Sequence, residues 1–161
     1  YENGAKYINP KIKVLGVYID SFTAPDRGKA AAEAQIAEGA DVIFGCGGPT
    51  GSGGIVAAME KGVWGIGVDQ DEYYTTMGGG PAPYLLTSAM KRVDNAVYSA
   101  IKAFVDGSFK GGHYLGTAKN GGIGYAPFHD AESKVPKSVK AKLDQIMKKL
   151  ADGSLETGVK L

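Results

Sequence analysis

The chain has 161 residues, 43% hydrophobic and 22% charged, with a net charge of +1. That is enough for one domain with its own core, and the near-neutral balance excludes a strongly basic nucleic-acid or membrane-surface binder. A single cysteine, Cys46, excludes an internal disulfide framework and a cysteine-rich metal site, and no apolar run reaches the roughly 20 residues of a membrane span.

Residues 1–7 (YENGAKY) read as the end of a helix. A doubly wound α/β lobe opens with a strand, so the expectation is a chain that starts inside its domain. Residues 11–20 (KIKVLGVYID) alternate and are β-branched, which predicts a strand. Residues 26–39 are alanine-rich, with Asp26 at the start and Gly39 at the end, the signals of a helix. Residues 41–44 (DVIF) predict a short buried strand. Residues 52–61 predict a helix closed by Gly62, and residues 63–68 (VWGIGV) the next strand. Residues 84–88 (YLLTS) predict another short strand. Residues 92–105 form a strongly periodic helix, with Val93, Ala96, Val97, Ile101 and Phe104 on one face and Gly107 ending it. Residues 113–116 and 123–126 read as a weaker hairpin. Residues 135–150 read as a basic amphipathic helix opened by Pro136, its lysines forming one solvated face.

This alternation of strands and helices predicts an α/β fold, a parallel sheet with helices on both faces. Ligands of such sheets sit outside the carboxyl ends of the strands. Residues 20–22, 45–48, 69–71 and 88–91 follow strands and are therefore the candidates. The 25 glycines are not periodic and gather where apolar runs end, where they permit turns and close backbone approach.

Each candidate admits a structural and a functional reading. The loop Gly47-Gly48-Pro49-Thr50-Gly51-Ser52-Gly53-Gly54 follows a strand and opens a helix. It lacks the lysine of a P-loop and the dinucleotide spacing, which favours backbone approach to a neutral ligand, together with helix capping. Asp69 and Asp71 follow a strand; they can cap a helix or lie in solvent, but an aspartate there is also placed to accept paired ribose hydroxyls. Lys91 and Arg92 can lie in solvent at a helix start, a placement the helix dipole disfavours, or one of them can hold a ligand oxygen. Phe44 is either core or a stacking platform. Cys46 reads as a small filler, and neither His113 nor His129 has a nearby nucleophile with an orienting acid, so no catalysis is assigned.

Residues 39–44 with the glycine loop, 62–69 (GVWGIGVD), 86–98 (LTSAMKRVDNAVY) and 121–128 (GGIGYAPF) resemble the basic membrane protein family, in collinear order over nearly the whole chain. These are substrate-binding lipoproteins of bacterial ABC importers and include purine nucleoside receptors. The resemblance implies the type I periplasmic-binding-protein fold, with a ligand closed between two lobes. It implies that residues 1–112 form the second lobe without its opening strand, and residues 113–161 a crossover and C-terminal helix. It implies that Asp69 holds ribose hydroxyls, that Lys91 contacts the ribose side, and that Phe44 and Gly47 line the base and sugar edge. It further implies export to the periplasm or a lipid anchor on the outer face of the cell membrane. The partners would be a nucleoside and the importer's membrane subunits, with no cofactor, metal or nucleic acid, and the chain alone is expected to self-associate. The family's other base-reading residues belong to the first lobe, so the base is not legible. The alternatives are a flavodoxin-like phosphate- or cofactor-binding enzyme domain and the ligand-sensing domain of a transcription regulator.

Overall fold

Three short apolar runs become parallel strands because helices fill the connections between them. The computed structural model describes Tyr1–Val159. In chain order the elements are α1 (Glu2–Ile8), α2 (Pro25–Ala37), β1 (Val42–Phe44), α3 (Pro49–Lys61), β2 (Trp64–Asp69), α4 (Glu72–Thr75), β3 (Leu85–Lys91), α5 (Val93–Val105), β4 (Ile123–Tyr125), a 3-10 helix (His129–Lys134) and α6 (Lys137–Asp152). The sheet runs β1-β2-β3-β4. β1, β2 and β3 are parallel, and β4 joins β3 antiparallel.

The core lies where α2 and α3 cover the sheet. Ala32, Ile43, Ala57 and Ala58 form one buried cluster, and Ile55, Ala82 and Leu85 another. The two helices meet backbone to backbone. A Cβ at Gly28 would sit 1.7 Å from the Thr50 carbonyl oxygen, and one at Gly53 would sit 2.0 Å from that of Pro25. Thr50, which is buried, fastens the chain before α2 to the start of α3. Its hydroxyl donates to the Ser21 carbonyl (2.8 Å) and accepts from the Ala24 amide (2.9 Å), and its own amide donates to the Phe22 carbonyl at 3.1 Å.

Residues 11–20 do not form the expected strand. Alternation supplies propensity, but a strand exists only where a neighbour takes its amides and carbonyls. Among the described residues none does, and Val17 and Tyr18 stand exposed. The expected hairpin also fails in its first arm, since residues 113–116 are not a strand. Asn120 takes the backbone groups a ladder would use. Its Oδ1 accepts the amides of Thr117 and Gly122, and its Nδ2 donates to the Leu115 carbonyl. β3 runs three residues past the expected end at Ser88, because Ala89 and Met90 find partners in both β2 and β4, and Lys91 in β4. The apolar stripe of α5 is real but uncovered: Val93, Val97, Ile101 and Phe104 are all more than half exposed, Phe104 by 74%.

Candidate functional site

Parallel strands bring their carboxyl ends to one edge of the sheet. Asp69 is the last residue of β2 and Lys91 the last of β3. With Asp69 in register with Met90, Lys91 lies one step beyond, and its Nζ stands 3.5 Å from Asp69 Oδ1. The side chains are 49% (Asp69) and 64% (Lys91) exposed. An exposed pair of this kind contributes only about 0–1 kcal/mol, so both charges stay available to a third group.

Asp69 is held in an uncommon backbone state. Its φ is 67°, and the Gln70 amide donates across it to the Val68 carbonyl at 2.8 Å. This is the strained hand of γ-turn, rare for a residue with a side chain. The strain is supported from below by Glu72, a buried carboxylate. Its Oε1 accepts the Val68 amide (3.1 Å) and its Oε2 the Thr76 hydroxyl (2.7 Å), while its amide donates to Ser88 Oγ (3.1 Å). Gly67 makes room for this contact, since a Cβ there would lie 2.5 Å from Ser88 Oγ. The two aspartates divide their labour. Asp71 caps α4, accepting the Tyr73 amide at 3.2 Å, whereas Asp69, at the end of β2, caps no helix among the described residues.

Arg92 is engaged elsewhere. Its guanidinium grips Asp94 at 2.7 and 2.9 Å, which pushes the Asp94 carboxyl down to about 2. Of the two cations, Lys91 is therefore the one that meets Asp69.

Gly47 turns the chain with a φ of 116°, and a Cβ there would approach the ring of Phe22 at 3.8 Å. Phe22 is 73% exposed. It lies among the positions that strand order singles out, yet alternation and spacing assign it no role; its nearness to Gly47 shows only in three dimensions. Phe44 stacks on Tyr1 with ring centroids 4.7 Å apart and planes 6° apart, so one face of its ring is taken. Burial, reinforced by Asp41, raises the pKa of the Tyr1 phenol. Cys46 is exposed, not a filler. It is the backbone there that packs, with a Cβ at Gly51 falling 2.9 Å from Cys46 main-chain atoms. Gly51, Gly53 and Gly54 are buried within α3. Gly51 and Gly53 face protein backbone, not a ligand, which removes the support for a phosphate-cradling loop. His113 is exposed, and His129 contacts Asp71.

Among the described residues no group of three or more His, Cys, Asp or Glu side chains is placed to hold a metal ion, and no helix is long and apolar enough to cross a membrane. A cleft of about 750 Å³ lies between α1 and α6 with the C-terminal tail, and none of Asp69, Lys91, Phe44 and Gly47 lines it. Asp69 and Lys91 are half-exposed, whereas Gly47 and Phe44 are partly buried.

A family model described as ABC transporter substrate-binding protein PnrA-like matches residues 1–154. The chain belongs to this family. Among family relatives, basic membrane protein D of Borreliella burgdorferi is 37% identical over 126 residues, covering 75% of this chain and 36% of that protein. The ABC transporter nucleoside-binding protein BmpA of Lactococcus lactis is 35% identical over 160 residues, covering 91% of this chain and 45% of that protein. The CD4+ T-cell-stimulating antigen of Listeria monocytogenes is 31% identical, covering 95% and 45%. The chain thus spans less than half the length of these relatives. The family fold is also that of solved ABC solute-binding proteins. One from Aeropyrum pernix superposes with a TM-score of 0.76 at 23% identity, over 96% of this chain and 51% of that one. A transcriptional activator of the comK gene from Bacillus halodurans gives 0.82 at 21% identity, over 94% and 50%. The expected α/β periplasmic-binding fold is therefore borne out.

Proposed function

We propose that this chain is the second-lobe portion of an extracytoplasmic solute-binding component of an ABC importer, and that the solute is a nucleoside, held without chemical change. Residues 1–112 supply the lobe, and residues 113–161 the crossover and closing helix. The observation that carries the reading is the Asp69–Lys91 pair at the ends of neighbouring parallel strands. A carboxylate accepts the two vicinal hydroxyls of a ribose, and an adjacent ammonium donates to a sugar oxygen. The Lactococcus relative, named a nucleoside-binding protein, supports the nucleoside. Gly47 and Phe44 line the base and sugar edge, with Phe22 beside Gly47 offering an open aromatic face. The importer's membrane subunits are the partners.

Isothermal titration of a family-length polypeptide carrying this chain against nucleosides, free bases, ribose and flavins tests the reading. Heat with a nucleoside and none with ribose or base alone is expected. Heat with none of the nucleosides would remove the proposed ligand.

The chain by itself is expected to behave differently. Small ligands need most of their surface buried to bind well, and here the Asp69–Lys91 pair stands half-exposed. The uncovered α5 stripe and the edge of β1, unpaired among the described residues, offer apolar area and an open ladder to a second copy. The 161-residue chain should bind nucleosides no better than about 1 mM and should self-associate. A monodisperse monomer in light scattering with micromolar affinity would contradict both expectations.

A further inference from the structure

We propose that His129 is a positioning residue for the Asp69 site, acting through Asp71. The inference rests on reading Asp69 as a ligand contact. Gln70 and Asp71 connect β2 to α4, a helix of four residues, too short to hold its own shape. The strained turn at Asp69 therefore depends on anchors outside the loop. Glu72 is the inner one; the outer one comes from a segment 58 residues further along the chain. His129 Nε2 lies 2.8 Å from Asp71 Oδ2, with the two side chains only 15% and 18% exposed.

The imidazole is itself fixed. It stacks on Tyr73 at 4.0 Å between centroids and 12° between planes, and meets the edge of Tyr74 at 5.3 Å. His129 adopts a φ of 44°, a left-handed state that begins the 3-10 helix. Asp130, next in the chain, completes the clamp: its Oδ1 accepts the Tyr73 hydroxyl (3.3 Å) and its Oδ2 the Ala82 amide (2.8 Å). The titratable groups facing His129 are thus Asp71, Tyr73 and Tyr74 from the loop and α4, with Asp130 beside it. Asp71 uses one oxygen to cap α4 and the other to hold His129, so the imidazole fixes the carboxylate two residues from Asp69. The hydrogen bond is charge-assisted when the ring is protonated, and the population of the Asp69 turn follows the charge on His129.

The test uses nuclear magnetic resonance on the family-length polypeptide between about pH 5 and 8, where a histidine changes charge. The amides of Asp69 and Gln70 are expected to shift with the midpoint of the His129 ring and not with that of His113. Asp71→Ser keeps a hydroxyl to cap α4 but is too short to reach the imidazole, and in it the two amides should stop following. Amides that ignore the His129 titration, or that follow it unchanged in Asp71→Ser, would overturn the proposal. In the family-length polypeptide, His129→Ala should raise the adenosine Kd about fivefold, the worth of roughly one hydrogen bond. His129→Gln, whose Nε2 can reach the same oxygen, should restore most of it and abolish the pH dependence. Equal losses in both variants would also count against it. If no nucleoside binds at all, the ligand reading fails, and the amide titration still decides the role of His129.

Discussion

Asp69→Ala in a family-length polypeptide is expected to raise the nucleoside Kd about ten- to a hundredfold. A hydrogen bond to a charged group contributes about 1.5–3 kcal/mol, and each 1.4 kcal/mol is tenfold in affinity. Asp69 ends β2 with its side chain half-exposed and, among the described residues, paired only to an exposed lysine, so little of the folded structure depends on the carboxylate itself. The backbone is the complication, because alanine tolerates a φ of 67° less well than aspartate. Asp69→Asn separates the two effects. Asparagine suits the left-handed region, yet it loses the charge and replaces one acceptor oxygen with a donor. The same direction of loss in both variants, with thermal midpoints near that of the parent, places the effect at the ligand. An unchanged Kd in a folded variant would remove Asp69 from the site.

Gly28→Ala is expected to destabilise the fold by about 3 kcal/mol, the upper end of overpacking costs. In a chain of this size that corresponds to about 6–12 °C in Tm. The added carbon would fall 1.7 Å from the Thr50 carbonyl oxygen, a backbone atom of the facing helix that no rotamer change can move. Relief would require α2 and α3 to separate, which would open the cluster of Ala32, Ile43, Ala57 and Ala58 and loosen Thr50 from Ser21 and Ala24. Gly4→Ala is the opposite case. Gly4 lies in exposed α1 with nothing within 4 Å of the added carbon, and the change should stabilise by about 0.5–1 kcal/mol through backbone entropy and helix propensity. Thermal denaturation followed by circular dichroism reads both. A Gly28→Ala chain as stable as the parent would contradict the described crossing of α2 and α3.

The parts of the fold written locally were legible in the sequence. The apolar runs of β1 and β2, the alanine-rich α2 with its glycine stop and the periodic α5 all follow from propensity and pattern. What residues 11–20 do depends on a neighbouring strand, and alternation in one segment carries no information about whether a partner exists. The sequence pattern of β3 ends at Ser88 because Ala89, Met90 and Lys91 lack an apolar pattern, and their pairing with β4 is set more than thirty residues away. The glycine loop suggests approach to a ligand by sequence alone, but Gly51 and Gly53 serve helix and loop packing, a requirement that only the partner backbones reveal. Within the candidate site, the position of Asp69 and Lys91 followed from strand order. Their 3.5 Å proximity needed the sheet register, and Phe22, Glu72 and His129 needed the tertiary fold.

The most direct test of the central claim, that Asp69 reads the ribose hydroxyls, is a thermodynamic cycle by isothermal titration. Adenosine and 2′,3′-dideoxyadenosine, or the same pair for whichever nucleoside binds, are titrated into the parent family-length polypeptide and into Asp69→Asn. Removing the hydroxyls should weaken binding to the parent at least about tenfold, the worth of hydrogen bonds to a carboxylate, and should weaken binding to the variant far less. An equal loss in both proteins would show that the hydroxyls are held elsewhere and would contradict the account.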